Sequence, residues 1–154
     1  MSKYKATFAG ILGLVYTALL IYVIKYRIQY RILIGDGTNE LLKEIANKKE
    51  GSSIDTRKYA KLLAAIRAHS NFIEYVPIQL ILAAILEIQG VDKFKLKLLL
   101  CVFTIGRIAH PLGIMKSDAK GIGRPIGTLS TIGTLVISSL ANICIAYPLI
   151  CSKQ

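Results

Sequence analysis

The run from Ala6 to Ile24 is 19 residues without a charged side chain. As a helix it covers about 28 Å, the thickness of a bilayer's hydrocarbon core. Lys3 and Lys5 in front of it imitate the basic start of a signal peptide. The apolar region is too long for one, however, and ends in Lys25-Tyr26-Arg27 instead of a small-residue cleavage site. The segment is therefore expected to stay in the membrane. Further long apolar blocks follow, and hydrophobic residues make up 53% of the 154-residue chain. The length fits one domain, and the blocks fit a polytopic membrane protein.

The expected architecture is all-α: an integral membrane four-helix bundle occupying residues 1–154, with helices at about 6–33, 56–88, 93–115 and 125–150. Gly35-Asp36-Gly37 should break the first helix, so that its helical character runs on through Arg27 and Arg31. Residues 38–61 read as a polar loop holding a short amphipathic piece, Glu40 to Ala46, and a flexible Glu50-Gly-Ser-Ser53. Pro77 should kink the second helix. Gln89 to Asp92 reads as a short turn, Pro111 and Gly113 loosen the end of the third helix, and Lys116 to Arg124 is a connecting loop. Pro125 suits the first turn of a fourth helix whose many Ser, Thr and Gly residues permit close packing in lipid.

The net charge of +11 would suggest nucleic acid if it formed a face on a soluble domain. Here the basic residues sit mainly between apolar blocks, so no nucleic-acid partner is expected. The first and third loops carry twelve of them against six on the opposite side, which places those two loops in the cytoplasm. Cys101, Cys144 and Cys151 lie in or beside apolar blocks with no metal spacing, so inert thiols are expected, with no disulfide framework and no metal site.

The second block is unusual in combining spanning length with ionisable side chains. In Arg67-Ala-His-Ser-Asn71-Phe-Ile-Glu74-Tyr75-Val-Pro77, the residues Arg67, Asn71 and Glu74 stand at i, i+4 and i+7, on one helix face. Intramembrane charge costs at least about 2.5–3.5 kcal/mol on insertion scales, so this face should turn inward. It holds either a structural Arg67–Glu74 ion pair or the wall of a polar pocket, and Asn71, both donor and acceptor, favours the pocket. His69 lies on another face and reads as a packing or interfacial residue. Arg107 and His110 neighbour each other on the third helix, and Arg124 opens the fourth. With Arg27 and Arg31 these groups fall toward the cytoplasmic half, where they could converge. The two first-helix arginines equally suit snorkelling to lipid head groups.

Several arginines, a carboxylate and an amide suit a ligand with carboxylates and an amine, because arginine pairs carboxylates bidentately and a glutamate takes an ammonium. Glutathione fits, as do other zwitterions and phosphates. There is no HExxH, no GxSxG with triad partners, no P-loop and no dinucleotide fingerprint.

Ile34-Gly-Asp-Gly37 with Asn39-Glu-Leu-Leu, the Arg67 to Pro77 segment, and Gly106-Arg107-Ile-Ala-His110-Pro-Leu-Gly113 resemble, in order and over nearly the whole chain, the MAPEG family of membrane-associated proteins in eicosanoid and glutathione metabolism. The bacterial branch is the nearest match. The resemblance implies a homotrimer binding glutathione between protomers near the cytosolic face, in a bacterial inner membrane. Arg67, Asn71 and Glu74, with Tyr75 adjacent, would contact glutathione, and Arg124 would stabilise its thiolate. The implied activity is that of a glutathione transferase or peroxidase acting on lipophilic substrates. A non-catalytic lipid-binding or scaffold protein of the same family is the alternative. Ile114 stands where the eicosanoid synthases carry an aromatic, and Ser70 where some members have a second arginine, so their specific reactions are not implied.

Overall fold

The structure, a computed structural model, describes residues 3–48, 53–116 and 121–151, with 148–151 by backbone alone. Most of the Glu50 to Ser53 stretch, the middle of the Lys116 to Arg124 loop and the Cys151 side chain therefore lie outside the described residues. The elements, in chain order, are α1 (Lys3–Tyr30), α2 (Thr38–Ala46), α3 (Ala60–Ile88), α4 (Lys93–Ile114) and α5 (Gly123–Cys151), with no strand among the described residues. Four of them, α2 excepted, are long and apolar enough to cross a membrane.

Contacts between the ends of the helices fix their directions. Lys5 at the start of α1 meets Glu87 at the end of α3, and Arg107 late in α4 meets Asn71 early in α3. His110 near the end of α4 meets Arg124 at the start of α5. The chain thus runs up and down in sequence, and α3 and α5 run parallel. The core between α1, α3 and α4 gathers Leu12, Leu19, Ala68, Phe72, Val76, Phe103 and Ile114. Large apolar residues such as Leu14, Ile28, Ile81, Ile105 and Leu129 point outward instead. That inverted surface suits lipid, which solvates apolar side chains and removes the hydrophobic drive to bury them.

Close packing takes the place of that drive, most extensively between α4 and α5. A Cβ on Gly106 would strike the Ser130 side chain, and one on Gly127 would come within 2.6 Å of the Gly106 carbonyl oxygen. The backbones approach as closely as only glycine allows. Above this seam, buried Gln79 of α3 donates from Nε2 to Ser138 Oγ of α5 at 2.8 Å, and Asn142 Nδ2 donates to the Leu82 carbonyl at 3.2 Å.

The end of α1 departs from expectation. The helix stops at Tyr30, and Arg31 takes a left-handed conformation with φ 55°. Arg31 N–H returns to the Ile28 carbonyl at 3.2 Å and Ile32 N–H to the Arg27 carbonyl at 3.0 Å, the paired bonds of a Schellman cap. Ile32 then buries against Tyr59 and Leu62. That burial drives the turn four residues before Gly35 is reached. Beyond it, Asp36 accepts from the Thr38 backbone N–H at 3.0 Å, and hydrogen bonding from the Thr38 hydroxyl, then its N–H, holds the Asp36 carboxyl below its ordinary pKa. Lys58 bonds Glu44 of α2 at 2.5 Å, which raises the lysine's pKa.

Lys5 is also unlike the outside charge that the sequence suggests. It is buried, with Nζ 3.0 Å from Glu87 Oε2 and donating to the Ala83 carbonyl at 2.6 Å. Because α1 already begins at Lys3, Lys5 falls on the face turned to α3.

Candidate functional site

A cavity of about 640 Å³ opens where α3 begins, α4 ends and α5 begins. Its size comes from small side chains: Ala60 and Ala64 stand seven and three residues before Arg67, on the face of α3 that it shares with Asn71, so the first turns of that helix leave room. Arg67 and Asn71 line it from α3, His110 from α4, and Arg124 and Thr128 from α5. Arg57, Lys61 and Lys116 line it as well. Among the described residues no Asp or Glu does.

The polar groups are held by helix geometry. Asn71 Nδ2 donates to the Arg67 carbonyl at 3.0 Å, one turn back. His110 Nδ1 lies 3.0 Å from the Arg124 carbonyl oxygen, which can only accept, so Nδ1 carries a proton, and in the neutral ring Nε2 is then the acceptor. Thr128 donates to the same carbonyl at 2.9 Å. The first turn of α5 is thereby tied to the end of α4, and Arg124 is held at the mouth with its side chain exposed.

The remaining candidates sit elsewhere. Arg107 is behind the cavity: at 1% exposure it donates to the carbonyls of Asn71 at 3.1 Å and Gly127 at 3.5 Å, with its guanidinium 5.4 Å from the Tyr75 ring centre. Glu74 is exposed, shares the face of Arg67, and lies two helical turns beyond it, outside the lining. No ion pair joins the two among the described residues. Arg27 closes the end of α1 by donating to the Leu33 carbonyl at 3.0 Å, and Arg31 is the exposed cap residue. His69 stacks near Tyr16, ring centres 5.1 Å apart, on the α1 side of α3.

Sequence reasoning missed Arg57, Lys61, Lys116 and Thr128. The lysines and Arg57 read as topology-setting loop charges, and only the pairing of Ala60 and Ala64 with Arg67 and Asn71 on one face hinted at a hollow beside them.

Such an arrangement can hold a ligand with several negative oxygens and offer the His110 imidazole beside them. The comparisons with known proteins agree with a membrane protein. The inner membrane protein YecN of Escherichia coli strain K12 is 27% identical to this chain over 121 residues, 79% of this chain and 76% of its own length. YecN of E. coli O6:H1 strain CFT073 matches to the same extent. No solved structure gives a significant match. The MAPEG family model matches residues 6–144, and with nearly the whole of its helical bundle inside that match, the chain belongs to the MAPEG family.

Proposed function

We propose that this protein is an inner-membrane, glutathione-dependent transferase or peroxidase acting on lipophilic electrophiles or hydroperoxides, working as a homotrimer with its first and third loops in the cytoplasm. The observation that supports it most is the convergence of Arg67, Asn71, His110 and Arg124 on one cavity. Arg67 and its basic neighbours pair the two carboxylates of glutathione, and Asn71 reads a peptide group. Arg124 lies over the thiol. A thiol of pKa near 8–9 is mostly protonated at neutral pH, and an adjacent guanidinium lowers that value by favouring the thiolate. In the transferase reaction the sulfur attacks the electrophile and the leaving group departs. In the peroxidase reaction it attacks the outer oxygen of a hydroperoxide, releasing the alcohol, and a second glutathione thiol then yields the disulfide and water. Glu74 and Tyr75, off the cavity of their own chain, take part through contacts between protomers.

The test is glutathione binding to the detergent-purified protein, followed by thiolate absorbance and then by addition of a chloro-dinitrobenzene electrophile. Binding with thiolate formation and turnover is expected. Arg124→Ala should lose the thiolate signal while still binding glutathione; an unchanged signal would remove Arg124 from its role. The apolar wall of the same cavity, Leu63, Ile114 and Met115, favours a non-catalytic lipid-binding protein as the second reading, and binding of lipid with no glutathione turnover would select it.

A further inference from the structure

Beside the larger cavity lies a smaller one of about 300 Å³, lined by Tyr22 and Tyr26 of α1, Lys61 and Ala64 of α3, and Leu112, Met115 and Lys116 at the end of α4. Lys61 and Lys116 belong to the walls of both. Among the described residues neither ammonium has a hydrogen-bond or ion-pair partner. The tyrosines sit in the last turns of a spanning helix, the level at which aromatic side chains meet lipid head groups. Lys25 adds a third cation at the rim, its Nζ 5.8 Å from the Tyr22 ring centre and 5.7 Å from that of Tyr26. Below the charges the wall turns apolar through Leu112 and Ala64, and exposed Ile105 and Ile108 continue the face of Leu112 along α4.

We infer that this smaller cavity binds the phosphate head group of an anionic membrane phospholipid. Its phosphate lies between Lys61 and Lys116, and its acyl chains run down the exposed apolar face of α4 through Leu112, Ile108 and Ile105. Charge decides between this and a neutral lipid. Two ammoniums beside a third cation, with no ion-pair partner and no Asp or Glu in the lining among the described residues, favour a net negative head group over a zwitterionic one, whose own ammonium they would repel. The cavity's position decides between a lipid and a free anion, since its floor is apolar and its mouth is at the membrane surface. A bound phosphodiester, with its single negative charge, also offsets part of the positive charge that Lys61 and Lys116 bring to the larger cavity, so the lipid tunes how strongly that cavity attracts anions. The inference goes beyond the glutathione reading and survives its failure.

The detergent-purified protein is offered phosphatidylglycerol and phosphatidylcholine with the same acyl chains, and bound lipid is counted by native mass spectrometry. Phosphatidylglycerol should be retained with a roughly thirtyfold preference, the scale that two lysines near a lipid surface give. The Lys61→Gln/Lys116→Gln variant should lose that preference, while Lys61→Arg/Lys116→Arg and Arg67→Gln keep it. Equal retention of the two lipids by the unaltered protein overturns the site with no variant needed. So does a preference that persists in the folded double Gln variant. Displacement of phosphatidylglycerol by an equal concentration of inorganic phosphate would show a free-anion site and overturn the lipid assignment.

Discussion

The Arg107 guanidinium lies 5.4 Å from the centre of the Tyr75 ring while donating to the carbonyls of Asn71 and Gly127. One side chain of α4 thus grips α3 twice and α5 once. A buried charge of this kind is tolerable only because oriented carbonyl dipoles and the ring face receive it. Each hydrogen bond to a charged group is worth about 1.5–3 kcal/mol. Arg107→Met should therefore destabilise the detergent-purified protein by roughly 2–4 kcal/mol, and Arg107→Lys, which keeps the charge but lacks the fork, by somewhat less. Thermal unfolding followed by helical circular dichroism reads both. A loss under about 0.5 kcal/mol for Arg107→Met would mean that the bridge contributes no more than an ordinary surface contact.

The glycines of the bundle separate into two classes that a single substitution can tell apart. A Cβ at Gly127 would lie 2.5 Å from the His110 Cβ, whereas Gly133, less than two turns later on the same helix, has nothing within 4 Å. Gly127→Ala should cost about 1–3 kcal/mol through overpacking and disturb the cavity by pushing His110. Gly133→Ala should be neutral or stabilising by up to about 1 kcal/mol, because alanine is the better helix former. Equal effects of the two substitutions would show that α4 and α5 are not held at glycine contact.

Both the legible and the illegible parts of the chain trace to how far a residue's partner lies along the sequence. The uncharged run Ala6 to Ile24 and the helix-starting Pro125 announce helices because their physics is local, and Arg67 and Asn71 were on one face by spacing alone. Lys5 looked like an outside charge since its partner, Glu87, is on another helix. Arg107 reads from the sequence as a site residue, whereas the carbonyls of Asn71 and Gly127 that receive it are invisible in any sequence. Lys61 and Lys116 became cavity walls only when the start of α3 met the end of α4.

Arg31 offers a test of the cap on α1. A left-handed conformation costs a side chain about 1–2 kcal/mol relative to glycine, and glycine in turn loses about 0.4–1 kcal/mol through its freer unfolded chain. Arg31→Gly should accordingly stabilise the protein by up to about 1 kcal/mol, seen as a raised melting temperature. Arg31→Val, β-branched in the same conformation, should lower it. A clear loss on Arg31→Gly would mean that the arginine makes a contact, with lipid or a neighbouring protomer, worth more than its backbone strain.

Arg67 and Glu74 can be tested as a pair or as two separate residues. They share a face, yet i, i+7 spacing sets them about 10 Å apart along the axis, and no ion pair joins them among the described residues. In a double-mutant cycle with Arg67→Gln and Glu74→Gln, the coupling in unfolding free energy should stay within about 0.5 kcal/mol, as for sites without shared contacts. Glutathione affinity should respond differently. Arg67→Gln removes a cation from the cavity wall and should weaken binding at least about tenfold, the value of one charge-assisted hydrogen bond. In the proposed homotrimer Glu74, outside that wall, affects affinity across a protomer boundary, so Glu74→Gln should weaken binding in the assembled oligomer and not in a dissociated protomer. A stability coupling above about 1 kcal/mol with unchanged affinity in both variants would instead make the pair structural, and the stripe on α3 would then be a packing device with no part in the site.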